Sequence, residues 1–501
     1  MWPSVYRMTL DKATVLVLAF CIACVTCLLA WKKKGLKGRL PPGPTPLPLI
    51  GNLLQLNAKD MFRSLLKLRD TYGPVFTVYL SFRPVVILCG YKAVKEALVN
   101  QGEEFSGRGY LPLAERTSNG HGVIIANGER WKQLRRFSIT SLRNFGMGKR
   151  SLEERIQEEA QFLAVEFRET KELPFDPTFF FSRAVANVIC SVVFGDRFDY
   201  KDRKFLTLLG LVNETFRLAS STWGQLYAVF PDIMDYLPGP HNQLFKNAAE
   251  IKKFASEIIE AHQKTLNPDV PRDFVDCFLI QMEQEKENYL TEFNIENLTI
   301  TSLDIFFAGT ETTSTTLRYG LLLLLKYPEV ADTIYQEIER VIGRTRCPSV
   351  EHRHKMPYTD AVIHEIQRFS NVLPMGIPRA VTRDTQFRDY LITKGTSVFP
   401  ILGSVLHDPT QFPNPETFNP GRFLDDRGGF MKNDAFMPFS TGKRNCLGEG
   451  LARMQLFLFL TTILQKFTLK SPKKPEEINI TPEVSSLGNL PRPYLLCVIP
   501  R

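Results

Sequence analysis

Cysteine and histidine are scarce in this chain, nine and seven of 501 residues. The cysteine count is odd, and Cys89, Cys190, Cys277, Cys347, Cys446 and Cys497 are scattered. That excludes a disulfide framework and points to a reducing compartment. Cys21, Cys24 and Cys27 have a spacing that metals use, but they lie in an apolar span and read as small membrane residues. No histidine cluster competes as a metal site; His352 and His354 stand in a charged loop. There is no zinc-finger spacing and no aromatic–basic repeat, so nucleic acid is not an expected partner. Internal repeats and low-complexity segments are lacking too, and no linker follows residue 50.

What is present is hydrophobic and basic. Hydrophobic residues make up 44%, enough for a large core, and 62 lysines and arginines against 53 carboxylates leave +9. Such a balance suits acidic partners or an anionic membrane. Five positive charges gather in Lys32, Lys33, Lys34, Lys37 and Arg39, directly after the uncharged run Ala13 to Trp31. That run has the length to cross a bilayer, and the charges behind it keep the body cytosolic. The expected organisation is a short lumenal N-terminus over 1–12, a transmembrane signal anchor over 13–31, and a basic stop-transfer and proline-rich hinge over 32–50. One large domain then covers 51–501. Pro41 to Pro48 cannot be helical and reads as a stiff extended spacer. Beyond it the pattern is mainly helical with a smaller β region. A hairpin is expected from Tyr79–Leu80 and Val85–Leu88 about a turn at Arg83–Pro84, and further strands at Tyr390–Ile392, Ser397–Pro400 and Tyr494–Ile499.

One cysteine stands apart. Phe439-Ser-Thr-Gly-Lys-Arg-Asn-Cys446-Leu-Gly448 sets Cys446 at the mouth of a helix, Leu447 to Phe467, that is apolar nearly all round. Free N–H groups and the positive helix end there favour a thiolate, and Lys443 and Arg444 add positive charge. Gly442 and Gly448 leave room for a large planar ligand beside the backbone.

This Phe-x-x-Gly-x-Arg-x-Cys-x-Gly spacing resembles the haem-ligand loop of the cytochromes P-450, with all five positions present. The resemblance runs from the anchor to the last strand. It is nearest to vertebrate microsomal family 2, and to its C and J subfamilies, in Arg143 to Arg155 and Leu237-Pro-Gly-Pro-His241. It implies the P-450 fold, with haem b between a long central helix and the cysteine loop, and Cys446 as the axial ligand of its iron. Cofactor contacts carried over are Arg108, Trp131, Arg135, Arg379, Phe439, Arg444 and Gly448. Trp131 and Arg135 are one helical turn apart, and guanidinium forks onto a propionate. Glu365 and Arg368, with Arg422, match the family's Glu-x-x-Arg…Arg network, a structural one.

Between about Glu296 and Lys326 runs a long helix whose middle, Ala308-Gly-Thr-Glu-Thr-Thr313, is poor helix material. It matches the family's oxygen-activation segment. The Thr312 hydroxyl is expected to bond back to the Ala308 carbonyl, with Glu311 relaying protons inward. The same alignment lines a distal pocket with Leu111, Ile124, Ile125, Phe307, Ala308, Leu373, Ile377 and Leu487. That apolar wall suits fatty acids such as arachidonate, steroids or xenobiotics. Lys132, Arg136, Arg143 and Lys443 form a candidate docking patch for an acidic flavoprotein.

The implied activity is membrane-bound monooxygenation. Electrons come from NADPH through cytochrome P-450 reductase, with cytochrome b5 as a further partner, at the endoplasmic reticulum membrane with the catalytic domain facing the cytosol. The alternatives are a peroxide isomerase or dehydratase of the same fold, which tends to lose the acid–threonine pair kept here, and a non-catalytic haem or lipid-binding protein. A cysteine-nucleophile enzyme would want a histidine partner that no motif supplies. Three glycosylation sequons, at Asn213, Asn297 and Asn479, are expected to be silent in a cytosolic body.

Overall fold

The computed structural model describes residues 40–57, 60–144 and 150–501. The 1–12 and 13–31 segments, the basic residues through Arg39, and Cys21, Cys24 and Cys27 lie outside them. Among the described residues no helix is long and apolar enough to cross a membrane.

The architecture is mainly helical, as the sequence implied. Among the described residues the longer helices that frame it are α1 (Met61–Tyr72), α2 (Gly128–Asn144), α3 (Arg150–Glu169), α4 (Thr178–Val193), α5 (Arg203–Ser220), α6 (His241–Thr265), α7 (Phe274–Gln284), α8 (Ile295–Lys326), α9 (Pro328–Val341), α10 (Pro357–Ser370) and α11 (Glu449–Lys466). The long helix α8 lies at the centre, packed most extensively on α4 and also against α5, α6, α7, α9, α10 and α11. Its start is fixed by Asn294, whose side chain accepts from the Asn297 N–H, and Pro328 begins the next helix two residues after its end. In between it buries residues on every face, including the run Leu321 to Leu325. Each such leucine contributes roughly 1.5–3 kcal/mol. Helix α11 is likewise buried along most of its length and packs beside α3 and α9.

The β region is small. Strands β1 (Val75–Leu80), β2 (Arg83–Cys89), β3 (Gly107–Arg108), β4 (Arg379–Ala380) and β5 (Ser397–Ile401) form one sheet in the order β1-β2-β5-β4-β3. The expected hairpin is present, but its turn is at Ser81–Phe82; Arg83 and Pro84 are already in register with Leu80 and Tyr79. Pro84 is tolerated because pairing with β5 begins only at Val85, so its missing N–H interrupts no ladder on that side. Tyr390–Ile392 pairs with Thr385–Phe387. At the C-terminus the strand covers Cys497–Pro500, later than expected, because Leu496 bridges instead to Phe175.

Candidate functional site

The cysteine loop joins the sheet region to α11. Gly442–Arg444 forms a short 3-10 turn, and the Cys446 N–H closes the loop on the Phe439 carbonyl at 2.9 Å. Gly442 has φ +73, and a Cβ on it would meet the Leu98 carbonyl oxygen at 1.8 Å. Its glycine is therefore required by close chain packing, not by a planar ligand as the sequence suggested. At Gly448 the nearest neighbour of a Cβ is the Cys446 sulfur, 4.0 Å away, so that side is open. Cys446 keeps exposed surface, so a ligand can reach its sulfur. Burial pushes its thiol up, against the Gly448 N–H and the Arg135 charge. The loop alone does not favour the thiolate, contrary to the helix-end expectation; a bound metal cation would.

Around this loop the fold gathers four arginines that are far apart in sequence. Arg108 donates through Nε to the Ile124 carbonyl at 2.7 Å. Arg135, on α2, donates through Nη2 to the Asn445 side-chain oxygen at 2.6 Å. Arg444 turns inward and donates to the carbonyls of Ser106 and Ala126 at 2.9 and 2.7 Å. Arg379, on β4, reaches the Ser440 hydroxyl at 3.2 Å. None of the four makes an ion pair among the described residues. Burial and one another's charges hold Arg108 down to about 10, against the Asp304 charge, Arg444 to about 8, and Arg379 well below the usual range. Nε and Nη1 of Arg379, Nη1 of Arg444 and the Trp131 indole N–H are buried with no hydrogen-bond partner among the described residues. Buried donors of this kind are costly unless a ligand satisfies them. The cluster fits a group that carries carboxylates, such as the two propionates of haem.

On α8 the Thr312 hydroxyl donates to the Ala308 carbonyl at 2.7 Å, as expected, and the Thr316 hydroxyl donates to Thr312 at 2.8 Å. Ala308 is exposed although most of α8 is buried. Glu311 is buried, and desolvation raises its carboxyl to about 7 against the Arg318 charge and a hydrogen bond from Asn213. None of Leu111, Ile124, Ile125, Phe307, Leu373, Ile377 and Leu487 is buried either, although they adjoin core residues.

The sequence reading missed several residues here. Asp304, one turn before Ala308, accepts the Val123 and Ile124 N–H groups at 2.8 and 2.9 Å and ties their loop to α8. A lone acid in the otherwise uncharged run Leu298 to Phe307 was its only signal. Phe216 of α5 stands edge-on to Phe307, with ring centres 6.0 Å apart. Two sequons are also occupied by packing: Asn213 bonds Glu311, and buried Asn297 accepts the Gly122 N–H at 3.2 Å.

Glu365 is fully buried between Arg368 at 2.7 Å and Arg422 at 3.2 Å, and it also accepts the Asn419 N–H. The surface patch is less basic than expected, because Lys132 pairs with Glu129 and Lys443 with Glu103. Arg136 and Arg143 are exposed and make no ion pair among the described residues. The structure further brings together His262, Asp273 and Asp276, all buried. Their atoms are already engaged: His262 Nδ1 faces the Ile258 carbonyl, Nε2 meets Asp273, and Arg272 forks onto Asp276. It is a structural ion pair.

Fold and site together define a helical cofactor-binding protein, with one cysteine loop beside a cluster of arginines that make no ion pair among the described residues. The cytochrome P450 family model matches residues 41–498, and the chain belongs to that family, whose haem iron is held by a cysteine thiolate. It is 58% identical over 494 residues to cytochrome P450 2G1 of Oryctolagus cuniculus, covering 99% of this chain and 100% of that protein. It is 55% identical over 488 residues to cytochrome P450 2C23 of Rattus norvegicus and 56% over 484 to cytochrome P450 2C8 of Homo sapiens, each covering 97% of this chain and 99% of the relative. The protein is a family-2 P450 monooxygenase.

Proposed function

We propose that Cys446 ligates the haem iron and that the protein oxygenates lipophilic substrates with electrons from NADPH, delivered by cytochrome P450 reductase. The observation that carries this is the set of arginines beside Cys446 that make no ion pair among the described residues and leave buried donors unused. Arg108, Arg135, Arg379, Arg444 and the Trp131 indole would hold the propionates, with Phe439 and Gly448 shaping the loop around the sulfur. Bound haem supplies the binding and reduction of dioxygen. The chain's own residues do the rest. Thr312 presents a hydroxyl whose proton is committed to Ala308, leaving its oxygen free to accept from water. Glu311 exchanges a proton near neutral pH, and Asn213 holds its carboxyl in place. This acid–hydroxyl pair supports oxygenation over peroxide isomerisation. Leu111, Ile124, Ile125, Phe307, Ala308, Leu373, Ile377 and Leu487 would form an apolar pocket with room for an arachidonate-like fatty acid, a steroid or a drug-sized xenobiotic.

The 13–31 segment would anchor the chain in the endoplasmic reticulum membrane, with the body in the cytosol. Reductase, and cytochrome b5, would dock on a basic face centred on Arg136 and Arg143, with Lys132 and Lys443 at its edge. Cys446→Ser tests the ligand assignment: the red-shifted Soret band of the ferrous CO complex should vanish together with turnover. A variant that keeps the band removes Cys446 as the ligand.

A further inference from the structure

A cavity of about 470 Å³ opens where the C-terminal ends of α3, α9 and α11 meet the last strand. Lys466, the last residue of α11, lies on its wall. It closes a helix of 18 residues whose other end adjoins the cysteine loop at Gly448, about 27 Å away at 1.5 Å per residue. The cavity is therefore remote from the cysteine–arginine site. Arg168, Arg344, Arg346, Lys466 and Arg501 line it, and no carboxylate side chain does.

Helix ends attract cations, so each charge needs its own account. Arg346 has one: Nε and Nη2 donate to the Ile342 and Val341 carbonyls at 2.6 and 2.9 Å and cap α9. Arg344 pairs with Glu339 at 2.6 Å, just outside the wall. Arg501 donates to the Phe467 carbonyl at 3.2 Å and lies over the Tyr335 ring. Arg168 and Lys466 also lie in the last turns of their helices, α3 and α11, but neither has a carboxylate partner among the described residues. Lys466 meets only the neutral Gln161 side chain, and the exposed Arg168 side chain has no partner among the described residues. Burial and the Arg168 charge push the Lys466 ammonium down, so the cations repel one another across the opening. Glu153 bears on Cys347 at the rim, but it already accepts the Val350 N–H at 2.8 Å.

We propose that this cavity is a second ligand site that binds a phosphoryl group, with Arg168 and Lys466 supplying the charge-assisted hydrogen bonds. Convergent guanidinium and ammonium groups in a concave wall are what a compact polyanion requires. Both a soluble phosphate and a lipid headgroup offer that chemistry.

The test uses the full-length, haem-loaded protein and follows its melting temperature. Inorganic pyrophosphate is titrated against sodium chloride at matched ionic strength. Phosphatidylcholine vesicles with and without phosphatidic acid form the second arm. Wild type should show a saturable rise with pyrophosphate, with phosphatidic acid, or with both; a rise with phosphatidic acid alone assigns the site to a headgroup. Arg168→Gln with Lys466→Gln should weaken the response on the order of tenfold or more, while the CO spectrum stays unchanged. Arg168→Gln alone, at an exposed and unpaired position, should weaken it without changing the melting temperature of the unliganded protein. No saturable rise with either probe, or a rise of equal affinity in the variants, overturns the proposal.

Discussion

The guanidinium of Arg444 lies 3.8 Å from the centre of the Trp131 ring, and neither its Nη1 nor the indole N–H has a hydrogen-bond partner among the described residues. Two donors held side by side, buried and unused, are set up for an acceptor that both can reach. Arg444→Ala is therefore expected to speed haem loss by about 10- to 100-fold, the equivalent of a charged hydrogen bond of about 1.5–3 kcal/mol. Transfer of haem to an excess of an acceptor apoprotein measures it. Retention equal to wild type would take Arg444 out of the propionate site.

Thr312→Ala removes the hydroxyl over Ala308 but no contact to the cysteine loop. Haem content and the CO spectrum should stay as in wild type, while more of the NADPH consumed appears as hydrogen peroxide. The ratio of peroxide to NADPH, taken with several substrates, decides it. An unchanged ratio would reduce Thr312 to a local feature of the α8 backbone.

Arg368→Met should destabilise the protein by about 3–5 kcal/mol, because it leaves Glu365 fully buried and half-paired. The double substitution Arg368→Met with Glu365→Leu should recover part of that loss, since no stranded charge remains. Denaturant melts of the three proteins give the comparison. Equal stability of Arg368→Met and wild type would show that the pair carries no such coupling.

His262 gives a pH dependence whose sign can be worked out. Burial lowers its pKa, but the hydrogen bond and charge of Asp273, with smaller contributions from Ile258 and Asp276, outweigh burial and raise it overall. A folded-state pKa above the unfolded 6.5 means that the folded form binds the proton more tightly. The stabilisation is complete below pH 6.5 and is lost as pH rises through the folded value. His262→Gln should therefore cost most at pH 6 and progressively less at alkaline pH. A deficit that is the same at pH 6 and pH 9 would rule out the charged pair.

The sequence by itself determined the elements whose signal is local. Cys446 and its loop are a contiguous motif, α8 and α11 are apolar on nearly every face, and the Thr312–Ala308 bond is a consequence of four-residue spacing on a helix. Tertiary structure decided whatever depends on distant residues meeting. Arg108, Arg135, Arg379 and Arg444 could be named from a family pattern, but only packing shows that they share one low-dielectric space, with no ion pair to any of them among the described residues. Gly442 looked like room for a ligand and proved to be room for the Leu98 carbonyl. The chosen Lys132 and Lys443 proved to be paired with Glu129 and Glu103, which local spacing alone did not reveal for Glu103. Asp304 and Asn213 carried almost no sequence signal, because each works through a partner on another part of the chain. A side chain's environment in a protein of this size is set mainly by neighbours far away in sequence, and burial then decides which of its charges and hydrogen bonds matter.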